Sequence, residues 1–174
     1  MKLTSLLCAG LLAVGTSAAF AEDITRSIAL VPSLGQPGSF TAGWGVTHVA
    51  AGSFNDTFTF TGATGSFVES ALVSIGFSNS DNINFTSATL NGQAFALTSN
   101  GPMEVARFNL AAFNGPITIR VAGVAGPGLA TGSAIAASYA GTLNVSPVPE
   151  AGTLAMMLAG LGVVAGIARK RVTG

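Results

Sequence analysis

Asp56 is the residue on which chemistry in this chain would most readily be built. It lies in the run Phe54-Asn55-Asp56-Thr57-Phe58, which Phe60 extends. In an extended strand residues two apart share a face, so Phe54, Asp56, Phe58 and Phe60 point the same way. If the rings fill a core, the carboxylate enters with them, and left unpaired it would cost several kcal/mol. Three arrangements remove that cost. Asp56 pairs with Arg26, Arg107 or Arg120, or it accepts backbone N–H groups at a bulge. The minor alternative is a hard cation such as Ca²⁺, which takes carboxylate and carbonyl oxygens. Such a site needs more ligands, and the nearest acidic cluster is Asn79-Ser80-Asp81-Asn82, with Asp81 as its carboxylate. That run lacks the alternating acids of a calcium loop and reads as a turn.

Hydrolytic chemistry is short of parts. His48 is the single histidine, and no serine stands in a GxSxG setting; a His48/Asp56 pair with one of the many serines is a remote alternative. A glycosidase needs two carboxylates at a defined separation, and nothing in the spacing of Asp56, Glu69, Asp81 and Glu104 singles out a pair. Trp44 and Tyr139 are the only large amphipathic aromatics, a thin platform for stacking sugars. No catalytic residue, cofactor or metal centre is expected, and the eleven phenylalanines read as core.

These residues belong to a segment bounded by two unusual ends. At the start, Lys2 precedes an apolar run from Leu3 to Val14, and Ala19-Phe20-Ala21 fits a small-x-small cleavage pattern. Residues 1–21 therefore read as a signal peptide, with cleavage after Ala21. The lone cysteine, Cys8, lies inside this leader, so the mature chain has no thiol chemistry. At the other end, residues 151–168 carry no charge. As a helix that stretch is ~27 Å long, close to the ~30 Å hydrocarbon core. Arg169, Lys170 and Arg171 follow as a basic stop that stays in the cytoplasm. The expected plan is a leader at 1–21, an exported domain at 22–146 and a linker at 147–150. A transmembrane helix at 151–168 and a basic tail at 169–174 complete it.

The chain as a whole is formally neutral, but the exported segment is not. It holds six acids against three arginines, a net charge of −3 with no lysine. That is no footprint for phosphate, so nucleic acid is excluded as a partner.

Within 22–146 the signals are β. Thr, Ser, Val, Ile and Phe occur in short runs between turn residues. Asn91-Gly92 between two such runs predicts a hairpin with a type I′ turn. Asn100-Gly101-Pro102 and Asn114-Gly115-Pro116 read as further turns, and Ile117, Ile119 and Val121 share one strand face. Gly123–Gly132 reads as a loop, Val105–Phe113 as a helical turn or a strand, and Ala134–Val145 as a closing strand. About eight strands predict an all-β fold, an antiparallel sandwich of jelly-roll type.

Val148-Pro149-Glu150, the apolar stretch after it and Arg169-Lys170-Arg171 together resemble the PEP-CTERM sorting signal, with Ala151 where a second proline is usual. The resemblance covers about a seventh of the chain. It implies recognition by an exosortase, transient residence in the inner membrane, and export to the cell surface or extracellular matrix in association with exopolysaccharide. Phe54, Asp56 and Phe58 match the FxDxF motif of one subgroup of such proteins, which adds context and no activity. The expected role is a non-enzymatic structural or adhesive component of the matrix. A lectin-like glycan-binding module is the alternative, and a secreted hydrolase is less favoured.

Overall fold

The computed structural model describes residues 21–62, 66–113, 115–147 and 151–172. Eleven strands precede one helix: β1 Thr25–Ala29, β2 Val31–Pro32, β3 Phe40–Ala50, β4 Gly52–Thr61, β5 Ser66–Ile75, β6 Ile83–Leu90, β7 Gln93–Ala94, β8 Ala96–Leu97, β9 Met103–Phe113, β10 Ile117–Ala125, β11 Ala134–Pro147 and α1 Ala151–Val172. They form a front sheet in the order β1-β4-β10-β6-β7 and a back sheet in the order β2-β3-β11-β5-β9-β8.

Period-two alternation decides which side chains meet. On β3, Ala42, Trp44, Val46 and His48 turn inward, and on β4 Phe54, Asp56, Phe58 and Phe60 do the same. Leu72 of β5, Ile119 and Val121 of β10, and Tyr139 and Leu143 of β11 complete a core shared by both sheets. The phenylalanines of the FxDxF run are core, as their spacing predicts.

The Asn91-Gly92 turn forms as expected, with φ of 47° at Asn91 and 84° at Gly92. The strand after it is brief. Gln93–Ala94 pairs with β6, and Ala96–Leu97 then crosses to the back sheet to pair with β9.

The structure corrects several expectations. The sheets are not purely antiparallel, because β1 pairs parallel to β4, from Thr25↔Thr57 to Ala29↔Thr61. The chain leaves β1, runs through β2 and β3 in the opposite sheet, and returns in β4 pointing the same way. Gly123 is strand and not loop, since β10 runs to Ala125. A Cβ at Gly123 would lie 2.8 Å from Cζ of Phe54 and 2.7 Å from the Asn84 carbonyl, so this glycine admits a ring. Val105–Phe113 is strand throughout. Pro147, expected in the linker, ends β11 opposite Ser66.

The helix reaches Val172, so the backbone of Arg169, Lys170 and Arg171 is helical. Its described side chains, 155–165 and Arg169, are exposed. Among the described residues no helix is long and apolar enough to cross a membrane.

Candidate functional site

The polar centre of the sandwich is built on Asp56. Its Oδ1 accepts the Ile24 backbone N–H at 2.8 Å. Its Oδ2 accepts the Tyr139 hydroxyl at 2.5 Å and lies 3.2 Å from His48 Nε2. With Oδ2 as the acceptor, Nε2 is assigned as the His48 donor in this contact. His48 Nδ1 then has no partner among the described residues, nor does Trp44 Nε1.

Each partner comes from a different strand or segment. His48 is on β3 and Tyr139 on β11 of the back sheet, Asp56 is on β4 of the front sheet, and Ile24 immediately precedes β1. The carboxylate therefore ties the two sheets and the N-terminal segment together. Alongside, Asn55 N–H donates to Asp23 Oδ1 at 2.7 Å and Thr57 N–H to the Ile24 carbonyl at 2.8 Å.

Aromatic rings enclose the network. His48 stacks on Phe54 with ring centroids 4.2 Å apart, and Trp44 lies 4.2 Å from Phe58 in a tilted arrangement. Phe85 meets Tyr139 edge to face. Asp56, His48 and Tyr139 are 1%, 2% and 3% exposed. Burial, and then the hydrogen bond to Asp56, hold the Tyr139 hydroxyl well above the usual tyrosine range. These groups are disposed for structure. A substrate has no route to them without opening the core.

Asp56 thus takes neither an arginine nor a bulge. Arg107 and Arg120 lie on the outward rows of their strands, and Arg26 donates instead to the Gly45 carbonyl at 3.2 Å. The sequence pairs His48 with Asp56 only as a remote hydrolytic alternative, and it offers no sign that Tyr139 joins them. Their convergence depends on sheet pairing over 8 and 83 positions, which no local pattern carries.

The other acids are also committed. Buried Glu104 accepts Phe85 N–H at 2.8 Å and Gly101 N–H at 3.2 Å. Glu69 faces outward from the same sheet and receives Asn144 Nδ2 at 3.3 Å, so Glu69 and Glu104 do not converge as a glycosidase pair. Asp81 accepts the backbone N–H and hydroxyl of Ser78 at 2.7 and 2.9 Å. Those bonds, the backbone one first, hold its carboxyl below the usual range. Asp81 closes a turn, and among the described residues no group of three or more His, Cys, Asp or Glu is placed to hold a metal ion.

Trp44 and Tyr139 are buried, which removes them as a sugar platform. The outer face of the back sheet instead carries a shallow trough of about 610 Å³ across β9, β5 and β11. Ala71, Val73 and Ala140 form its floor, with Arg107, Asn109, Thr142, Asn144 and Glu69 among its polar groups.

Of the targeting residues, Ala19 and Val148-Pro149-Glu150 lie outside the described residues, as do the side chains of Lys170 and Arg171. Ala21 is 1% exposed and packs with the core.

Residues 147–172 match the family model described as the PEP-CTERM protein-sorting motif. No curated protein matches the chain. Among solved structures, the chain is similar to the pre-peptidase C-terminal domain of a collagenase from Bacillus anthracis, at 16% identity over 72% of this chain and 95% of that one, with a TM-score of 0.34. A likeness that loose transfers neither activity nor ligand.

Proposed function

Taking the PEP-CTERM sorting motif as the premise, we propose that this chain is an exosortase-sorted surface protein whose β-sandwich is a non-enzymatic structural or adhesive part of the exopolysaccharide matrix. The motif at 147–172 is the observation that carries the reading. In it the leader directs export and is removed after Ala21. The uncharged stretch 151–168 holds the chain in the inner membrane, Arg169, Lys170 and Arg171 stay in the cytoplasm, and exosortase acts near Val148-Pro149-Glu150. A structural role is supported by the burial of Asp56, His48 and Tyr139, which serve the fold.

The test is cell fractionation with C-terminal mass spectrometry, in cells with and without exosortase. The expected mature form lacks Arg169–Gly174 in wild-type cells and keeps it in the mutant. A surface form that retains those residues in wild-type cells overturns the sorting reading in favour of a plain membrane anchor.

A second reading, a glycan-binding module, is supported by the back-sheet trough, where one guanidinium, one carboxylate and two amides line a small-residue floor. Glycan-array binding that is lost in Arg107→Ala and Asn144→Ala, with melting unchanged, would favour it.

A further inference from the structure

The two long sides of the sandwich are finished differently. On one side the front sheet ends in β6-β7 and the back sheet in β9-β8, and the chain crosses between them. There Phe95 N–H donates to the Ala88 carbonyl and Glu104 takes Phe85 N–H, so that flank is closed by the protein itself. On the other side the outermost long strand of the back sheet is β3. β2 covers it only at Phe40 and Thr41, whereas β11 pairs with it from Phe40 to Ala50.

The direction of the uncovered groups follows from two observed bonds. The carbonyl of Ser39 accepts Ser33 N–H from the β2 side, and the carbonyl of Gly45 accepts Arg26. Backbone groups alternate along a strand, so Gly43, Gly45, Thr47 and Val49 all direct N–H and C=O to this edge. Among the described residues, the partner found there beyond β2 is the single Arg26 guanidinium, 3.2 Å from Gly45 O. The devices that normally blunt an edge are lacking on β3 itself. Its sequence, Phe-Thr-Ala-Gly-Trp-Gly-Val-Thr-His-Val-Ala, has no lysine, proline or carboxylate.

The open window is also self-complementary. An antiparallel pairing of two β3 strands centred on Val46 sets Gly43 opposite Val49 of the second copy, and Gly45 opposite Thr47. Both are hydrogen-bonded positions with edge-facing groups. On the outer face each glycine then receives a larger neighbour, and Val49, 67% exposed in the single chain, gains cover. No like charges on the two β3 strands face each other, and the window ends where β2 begins.

We propose that β3 is a self-association edge: two copies pair β3 to β3 through Gly43–Val49 across a two-fold axis, joining their back sheets into one, and Arg26 is the group displaced from Gly45. This is strand addition with a second copy as donor. It stands independently of the sorting reading, since it uses only the sandwich.

Sedimentation of the full chain in one detergent tests it, comparing wild type, Arg26→Gln and Thr47→Pro, with the apolar helix common to all three. Arg26→Gln should tighten dimerisation by roughly fivefold, since a competing hydrogen bond and a like-charge pair near the axis are removed. Thr47→Pro removes an edge-facing N–H, along with the outer-face hydroxyl contact to Ser138 at 2.8 Å, and should weaken it by roughly tenfold or more. Amide exchange of the wild-type chain reads the same edge without a variant, and protection at Gly43, Gly45, Thr47 and Val49 should rise with protein concentration. Concentration-independent exchange at these amides overturns the proposal, as do dimers that persist in a folded Thr47→Pro chain. Protection gained only when a different protein is added overturns the choice of a second copy.

Discussion

The Tyr139 hydroxyl donates to Asp56 Oδ2 across the interior of the sandwich, joining β11 of the back sheet to β4 of the front sheet at 2.5 Å. Neither residue has solvent to fall back on, and Asp56 is the acceptor that satisfies the Tyr139 hydroxyl.

Removal of the carboxylate should therefore be severe. Asp56→Ala leaves the Tyr139 O–H, the His48 Nε2–H and the Ile24 N–H without acceptors, at about 1–3 kcal/mol each. A total loss of at least about 3 kcal/mol would lower the melting temperature by roughly 10 °C. Asp56→Asn should fall between, because one amide oxygen remains to accept while the nitrogen opposes a donor. Calcium should not change the melting temperature of either form. Thermal melts followed by circular dichroism check this, and unchanged stability in Asp56→Ala would remove the structural role assigned to the network.

Tyr139 is the only tyrosine, so phenolate absorbance reports it alone. Its folded-state pKa stands above the ordinary value of 10.0, through burial first and Asp56 second. The neutral form is thus bound more tightly by the folded chain. The associated stability is present in full below pH 10 and is lost as pH rises above it. In an alkaline titration, phenolate absorbance should appear together with loss of the near-ultraviolet Trp44 signal. Phenolate formed at pH 10 in a chain that is still folded would contradict the buried placement.

Gly141 lies across the β3-β11 ladder from Trp44. A Cβ there would come within 2.5 Å of Trp44 Cζ2 and 3.1 Å of the Ala71 carbonyl. Gly141→Ala should cost about 1–3 kcal/mol by forcing the indole aside, with a change in Trp44 fluorescence that Gly43→Ala, where nothing lies within 4 Å, does not produce.

Asn91 holds the hairpin twice. Its backbone adopts φ of 47°, and its side chain accepts Thr118 N–H at 2.7 Å while donating to the Pro116 carbonyl at 3.2 Å. Asn91→Ala loses both the tolerance for positive φ and the bridge to β10, at about 1–2 kcal/mol. Asn91→Gly should recover part of that. Denaturant midpoints at constant slope are the measure.

Much of this architecture was legible locally. The Phe54/Asp56/Phe58/Phe60 alternation gave the inward face of β4, and Asn91-Gly92 gave the turn, because both signals sit within a few bonds of what they determine. Gly123 misled for a physical reason. Glycine is read as a breaker, yet here it is the gap into which Phe54 fits across the ladder. The partners of Asp56 were beyond reach for a related reason. Opposite charge favoured arginines, but the arginines occupy outward rows, and a phenol and an imidazole reach the carboxylate only after two sheets have stacked.

The last strand of the sandwich is also one of its most enclosed. β11 lies between β3 and β5, paired antiparallel with both, and the chain leaves it at Pro147 toward the sorting motif. Tension along that tether would load two ladders in shear along the whole strand, whereas an edge strand would peel one bond at a time. A domain pulled from that exit would thus yield slowly, at a rate set by its unfolding barrier.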